Sequence, residues 1–248
     1  MSDDKIYTVW ADLYDAAFDW DVRGQVAAIG GLGGVANGRV LEPMCGSGRL
    51  LRGFAKEGYA TVGVDASPAM LALAQARYAS DGLHGDWLRA DVTDFDLDHA
   101  CDLAVCPVNS LAHLPSERAM EAHLNAMSRN LFAGASYFIQ LDLKPARFVG
   151  GAESWEFDYR GETVRFDWQC VSYADGLETH LSRYTFADGR VLEETYPMKL
   201  WTYAAWIAVL ARTRFELSAA YANDSFEPLS IGKTLEGGHV FWQQLVKF

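Results

Sequence analysis

The chain has 248 residues, half of them hydrophobic, which is enough to bury the core of one domain with an elaboration. A net charge of −12 with Lys and Arg dispersed excludes a general binder of phosphate backbones, so nucleic acid is not an expected partner. Eight scattered Trp exclude a disordered tail, and no apolar run approaches about 18 residues, so no membrane partner is expected.

Residues 5–22 carry apolar and aromatic side chains at helical spacing and predict one or two N-terminal helices. Residues 23–36 end in Gly-Gly-Leu-Gly-Gly, which reads as a helix stop and a linker. Val40-Leu41-Glu42-Pro43 is a short strand, followed by a Gly-rich turn and a helix from Arg49 to Lys56. Tyr59 to Val64 is a second strand. Ser67 is then placed as N-cap and Pro68 as first residue of a further helix. Strands at 87–90 and 102–106, a helix at 116–131 and a strand at 135–143 continue an alternation that implies parallel βαβ units, an α/β sheet.

Residues 152–200 break that alternation. Trp155, Phe157 and Tyr159 alternate with polar residues, as do Val164, Phe166 and Trp168, and Asp175-Gly176 and Asp188-Gly189 are hairpin signals. A three- or four-stranded antiparallel insert is expected here, either capping the site or forming a homodimer contact. A helix from Trp201 to Arg212 and a last strand from His239 to Val246 complete the chain. Residues 1–150 and 201–248 therefore form the main domain, and 151–200 the insert. Cys45, Cys101, Cys106 and Cys170 show no C-x-x-C and no zinc-type Cys/His spacing, so no metal is expected. The first residues lack a signal pattern, and the expectation is a reduced, soluble, cytoplasmic protein.

The stretch from Val40 to Arg49, V-L-E-P-M-C-G-S-G-R, carries the most chemistry. An acid, Glu42, closes a strand, and Gly46 and Gly48 let the backbone approach a ligand ahead of a helix start with free N–H groups. Asp65 in G-V-D-A-S ends the second strand, where an acid accepts hydrogen bonds from ribose hydroxyls. Asp91 in R-A-D-V-T-D-F ends the third and can accept from an adenine amine. In order, Glu42, Gly46, Gly48, Asp65 and Asp91 resemble the class I S-adenosylmethionine-dependent methyltransferases over roughly residues 5–145. The resemblance implies a Rossmann-like sheet, mostly parallel with its last strand antiparallel and helices on both faces. It also implies S-adenosyl-L-methionine as cofactor, with S-adenosyl-L-homocysteine as product. By the same likeness the Gly loop with Gly46 and Gly48 carries the methionine part and the acids take up ribose and adenine. Met44, Ser47, Ala66, Met70, Val92 and Pro107 join Glu42, Asp65 and Asp91 as implied cofactor-binding residues.

C-P-V-N-S-L-A-H-L-P, Cys106 to Pro115, is similar to the motif after strand 4 of glycine/sarcosine N-methyltransferase-like enzymes. That likeness puts Asn109 near the acceptor and gives Tyr14 and Arg23 the methionine carboxylate. It departs from the glycine-specific pattern at Gln140-Leu141-Asp142, which lacks the Arg that would grip an amino-acid carboxylate. His113 is either a general base, by its near-neutral pKa, or a structural imidazole. The function implied is methyl transfer to a small-molecule acceptor, nitrogen rather than oxygen. Two alternatives stand beside it. A nicotinamide-dependent oxidoreductase needs a third glycine where Leu51 stands. A non-catalytic binding module would take up the cofactor without turnover. For a metal-dependent O-methyltransferase, Asp142 is a lone candidate ligand.

Overall fold

A computed structural model describes residues 5–147, 150–232, 235 and 242–248. A 3-10 turn at Lys5–Tyr7 leads to helix α1 (Ala11–Ala17) and helix α2 (Arg23–Gly33). The alternation then runs β1 (Arg39–Pro43), α3 (Arg49–Lys56), β2 (Ala60–Asp65), α4 (Pro68–Ser80), β3 (Asp86–Arg89), β4 (Cys101–Cys106), α5 (Glu117–Asn130) and β5 (Leu131–Ile139). The insert is β6 (Ala152–Tyr159), β7 (Glu162–Ala174), β8 (Leu177–Phe186) and β9 (Val191–Lys199). Helix α6 (Tyr203–Leu210) and strands β10 (Phe215–Tyr221), β11 (Pro228–Leu229) and β12 (Trp242–Lys247) follow.

The main sheet has the order β11-β10-β12-β5-β4-β1-β2-β3. Strands β1 to β5 are mutually parallel, and β12 runs antiparallel between β5 and β10. Its central strands are apolar on both faces because helices cover both. Val40, Leu103, Val105 and Phe138 pack with α2 and α3, whereas Leu41, Ala104, Cys106 and Tyr137 pack with α5 and α6. The chain leaves β1 toward β2 on one side and returns to β4 on the other, so a topological switch point lies between β1 and β4. Open α/β sheets bind ligands at the carboxyl ends of such strands.

Three expectations are corrected. Gly30, Gly31 and Gly33 are not linker but part of α2, which ends only at Gly34 in the left-handed conformation (φ 67°). Two of them are small because the helix packs closely: a Cβ at Gly30 would stand 2.7 Å from the Tyr59 hydroxyl, and one at Gly33 3.0 Å from Leu103, whereas one at Gly31 would meet nothing. The fifth strand begins at Leu131 rather than at 135, directly where α5 stops. Strands β10 and β11 have no counterpart among the predicted elements. The expected last strand appears from Trp242, while 239–241 lie outside the described residues. Among the described residues no helix is long and apolar enough to cross a membrane.

The insert is a four-stranded antiparallel sheet, β6-β7-β8-β9. Its inner face buries Val164, Phe166, Tyr184 and Tyr196 in the same core as Leu13 and Ala17 of α1. Trp155 donates its indole N–H to the Ala17 carbonyl at 2.7 Å, and the Tyr159 hydroxyl donates to Asp12 at 2.6 Å. Glu194 on β9 accepts from the Lys5 and Ile6 N–H groups, both at 2.8 Å. The N-terminal segment is thereby clamped between the two sheets.

Candidate active site

A cleft opens at the switch point. Glu42, Met44, Cys45, Gly46 and Ser47 line it from the end of β1, and Pro107, Val108 and Ser110 from the end of β4. Tyr14 and Asp15 of α1, with Phe18 just past its end, cover it, and Arg49 and Leu50 enter from the start of α3. The Gly-rich turn is tightly curled, with Met44 (φ 55°), Gly46 (φ 52°) and Gly48 (φ 71°) all left-handed. At Gly48 the need for glycine is double, since a Cβ would also stand 2.8 Å from the Trp87 ring.

Asp65 holds this turn from the end of β2. Its Oδ2 accepts the Gly46 N–H and its Oδ1 the Ser67 N–H, both at 2.8 Å, which leaves lone pairs on each oxygen. Burial pushes its carboxyl up, against the opposing pull of those N–H donors. Ser67 caps α4 by accepting the Met70 N–H at 3.2 Å, and its hydroxyl donates to the Tyr7 carbonyl. Glu42 is 3 % exposed and accepts the Leu51 N–H at 3.3 Å. Burial raises its pKa to about 8, with Arg49 pulling the other way. The Arg49 guanidinium has its Nη1 buried with no hydrogen-bond partner among the described residues. Its plane lies over the Trp20 ring at 5.2 Å.

The loop after β4 is strained. Val108 (φ 59°) and Asn109 (φ 55°) are consecutive left-handed residues, and a β-branched side chain rarely adopts that region. Gln140 accepts the Val108 N–H at 2.6 Å, and Asn109 Oδ1 accepts the Asp142 N–H at 3.1 Å. Asn109 therefore ties the ends of β4 and β5 together. His113 follows on the 3-10 turn Ser110–His113, with Nε2 at 3.1 Å from the Tyr7 hydroxyl and its ring stacked on Tyr196 of the insert at 5.5 Å. Tyr7 in turn meets the Tyr14 ring edge-on at 5.0 Å.

Of the residues expected at the cofactor, the cleft gathers Tyr14, Glu42, Met44, Gly46, Ser47 and Pro107. Met70 packs behind the turn, its sulfur 3.9 Å from where a Gly46 Cβ would be. Gly48 starts α3, and Ala66 is exposed just past Asp65. Asp91 is exposed, with Oδ1 taking the Thr93 N–H and hydroxyl, and Val92 is a buried core residue. Both are outside the cleft lining, although β3 runs beside β2 and the Ala90 N–H bonds the Asp65 carbonyl at 3.2 Å. Arg23 does not join them: it is 87 % exposed and paired with Asp21 at 2.6 Å. Arg49 is the cation in the cleft. It sits in the first turn of α3, where the helix dipole disfavours positive charge, and that misfit was the legible signal.

Residues 40–134 match the methyltransferase-domain family. Among curated proteins, the chain is 26% identical over 185 residues to a dTDP-4-amino-2,3,4,6-tetradeoxy-D-glucose N,N-dimethyltransferase of Saccharopolyspora spinosa, covering 72% of each. Among solved structures it is similar in fold to CalS10, an amino pentose methyltransferase from Micromonospora echinaspora solved with S-adenosylmethionine bound (TM-score 0.75, 20% identity, 97% of each chain). It is also similar to the sugar N-methyltransferase KedS8 from Streptoalloteichus (TM-score 0.74, 21% identity, 95% of this chain and 92% of that one). The narrower likeness to glycine/sarcosine enzymes is not shown by these relatives.

Proposed function

We infer that the chain, a class I S-adenosylmethionine-dependent methyltransferase, passes its methyl group to the amino nitrogen of a small molecule, and that this molecule is an amino sugar. One observation carries the cofactor side. Glu42, a buried carboxyl that a bound ammonium would ionise, and Arg49, whose Nη1 is buried without a partner among the described residues, line one cleft, which suits the ammonium and carboxylate of an amino-acid-bearing sulfonium. A dinucleotide would bring a pyrophosphate against Glu42, and Leu51 occupies the place of its third glycine, so the oxidoreductase reading is disfavoured.

In this reading Arg49, with Tyr14, holds the methionine carboxylate, and Glu42, Met44, Gly46 and Ser47 surround the rest of the amino-acid part. Asp65 accepts from the ribose hydroxyls. Ala66, Met70, Asp91 and Val92 follow along the adjoining strand ends on the adenine side, and Pro107 flanks the nucleoside. When bound, the sulfonium supplies an activated methyl for in-line displacement. The protein's share is to orient the acceptor and exclude water, which can supply roughly 7–11 kcal/mol. Phe18, stacked on Tyr14 at 4.4 Å and edge-on to Trp155 and Phe166, is part of that aromatic cover. Asn109 fixes the loop beside the acceptor, and His113, through Tyr7, takes the proton that the amine must lose.

We take 1–150 and 201–248 as the catalytic domain and 151–200 as its cap rather than a homodimer contact, because the insert's inner face is occupied by α1 and Tyr196 meets His113. We place the reaction in the cytoplasm, in keeping with four buried, unpaired thiols. The amino-sugar acceptor is inferred from the relatives' own substrates. The test is incubation with methyl-labelled S-adenosylmethionine and a panel of free and nucleotide-linked amino sugars, read by mass spectrometry. N-methylated product is expected. Label found only on oxygen, or cofactor bound without turnover across the panel, would refute the acceptor or the catalytic reading respectively.

A further inference from the structure

The insert holds a cluster of side chains that methyl transfer leaves unused. On β8, Glu178 and His180 stand two residues apart and so point to the same, inner face. Cys170 on β7 is the direct cross-strand partner of His180, and the β7–β8 register shifts between Cys170 and Ser172. Such a bulge re-aims side chains locally. The three side chains are 2, 3 and 1 % exposed for Cys170, Glu178 and His180, and one ligand atom from each lies within 4.8 Å of the other two. Lys144 donates from Nζ to Glu178 Oε2 at 2.9 Å, and His180 Nε2 lies 3.3 Å from the same oxygen. The remaining atoms, Glu178 Oε1 and His180 Nδ1, are buried with no hydrogen-bond partner among the described residues. A buried polar atom left unpaired costs about 1–3 kcal/mol, so two of them on residues of one buried cluster call for an occupant.

We propose that Cys170, Glu178 and His180 bind a divalent zinc-type cation, with Lys144 orienting the carboxylate from behind. Sulfur, nitrogen and oxygen donors together suit zinc, which holds its ligand atoms roughly 3.5 Å apart in a tetrahedron. Closing the cluster by about an ångström reaches that geometry, and a water completes the fourth position. Thiolate and carboxylate together carry two negative charges against the dication, and with the Lys144 ammonium the group carries a net +1. Burial keeps the Cys170 thiol protonated at neutral pH in the metal-free protein, so one proton leaves as the metal–sulfur bond forms. Ligating carboxylates are themselves hydrogen-bonded in metal sites, and Lys144 supplies that bond here. The metal pins β7 to β8 within the cap.

The experiment uses the full, untagged chain stripped with chelator and titrated with Zn²⁺ and Co²⁺. One zinc per chain is expected, with a sulfur-to-cobalt charge-transfer band for the cobalt form. Cys170→Ser and His180→Asn each abolish the band or weaken binding at least tenfold, while Lys144→Met weakens it about 10- to 100-fold and keeps the band. Circular dichroism and S-adenosylhomocysteine binding of each variant report folding separately from metal uptake. Absence of zinc uptake by folded wild-type protein overturns the proposal, as does undiminished uptake in both ligand variants. A cobalt complex without the sulfur band does the same.

Discussion

At the scale of single residues, the cleft turns on a buried carboxyl, Glu42, and a buried guanidinium, Arg49. Arg49 has one buried guanidinium nitrogen to offer a carboxylate. Arg49→Met should weaken S-adenosylhomocysteine binding by about 10- to 100-fold, the size of one or two charge-assisted hydrogen bonds, and leave adenosine affinity nearly unchanged. Calorimetric titration with both ligands checks this, and equal loss for the two would move Arg49 away from the amino-acid end. Glu42 carries a pH signature. Its folded pKa of about 8 exceeds the ordinary carboxylate value of 4.5, so the native state binds the proton more tightly than the unfolded chain. Its contribution to stability is complete below about pH 4.5 and is lost as pH rises through about 8. Buried His123, depressed to about 4, acts in the opposite sense: its contribution is present above 6.5 and lost as pH falls through about 4. Comparing Tm against pH for wild type and Glu42→Gln, without cofactor, isolates the first effect. The variant should gain most near pH 8 and least near pH 4.5; parallel curves would argue against a buried, protonated Glu42.

At the scale of elements, close approach decides what sequence patterns leave open. In sequence the glycines of α2 read as a break because glycine is a poor helix former, costing about 1 kcal/mol per residue relative to alanine. Tertiary packing overrides that preference, since Gly30 lies against the Tyr59 hydroxyl, which itself donates to the Val35 carbonyl at 2.6 Å. Gly30→Ala should therefore destabilise by about 1–3 kcal/mol despite the gain in helix propensity, read from the denaturant midpoint. A stabilised variant would mean the helix stands further from Tyr59. The β4 loop offers a second check. Asn109→Ala removes the acceptor of the Asp142 N–H and places alanine in a left-handed conformation, so turnover should fall at least tenfold with S-adenosylhomocysteine affinity held within about twofold. Lost cofactor affinity instead would put Asn109 in the cofactor cleft.

At the scale of the whole molecule, what was legible follows from period and punctuation. Alternating strands and helices with a Gly-rich turn gave the parallel sheet, and acids at three strand ends marked its carboxyl edge. Asp-Gly turns gave the insert. Strand β10 was hidden because its seven residues, F-E-L-S-A-A-Y, mix small and polar side chains beside the apolar run of α6. Arg49 left a local trace, a cation in the first turn of a helix, whereas the Tyr7–His113–Tyr196 seam was hidden for a different reason: it depends on which loops meet across two sheets, and no local spacing encodes that. The account rests on strand ends converging to hold an adenosyl ligand. Titration calorimetry of wild type and Asp65→Ala with S-adenosylhomocysteine tests it most directly. One ligand per wild-type chain, bound at least tenfold more weakly by a variant with an unchanged unfolding midpoint, is the predicted result; no binding by wild type, or equal affinity in the two proteins, would contradict it.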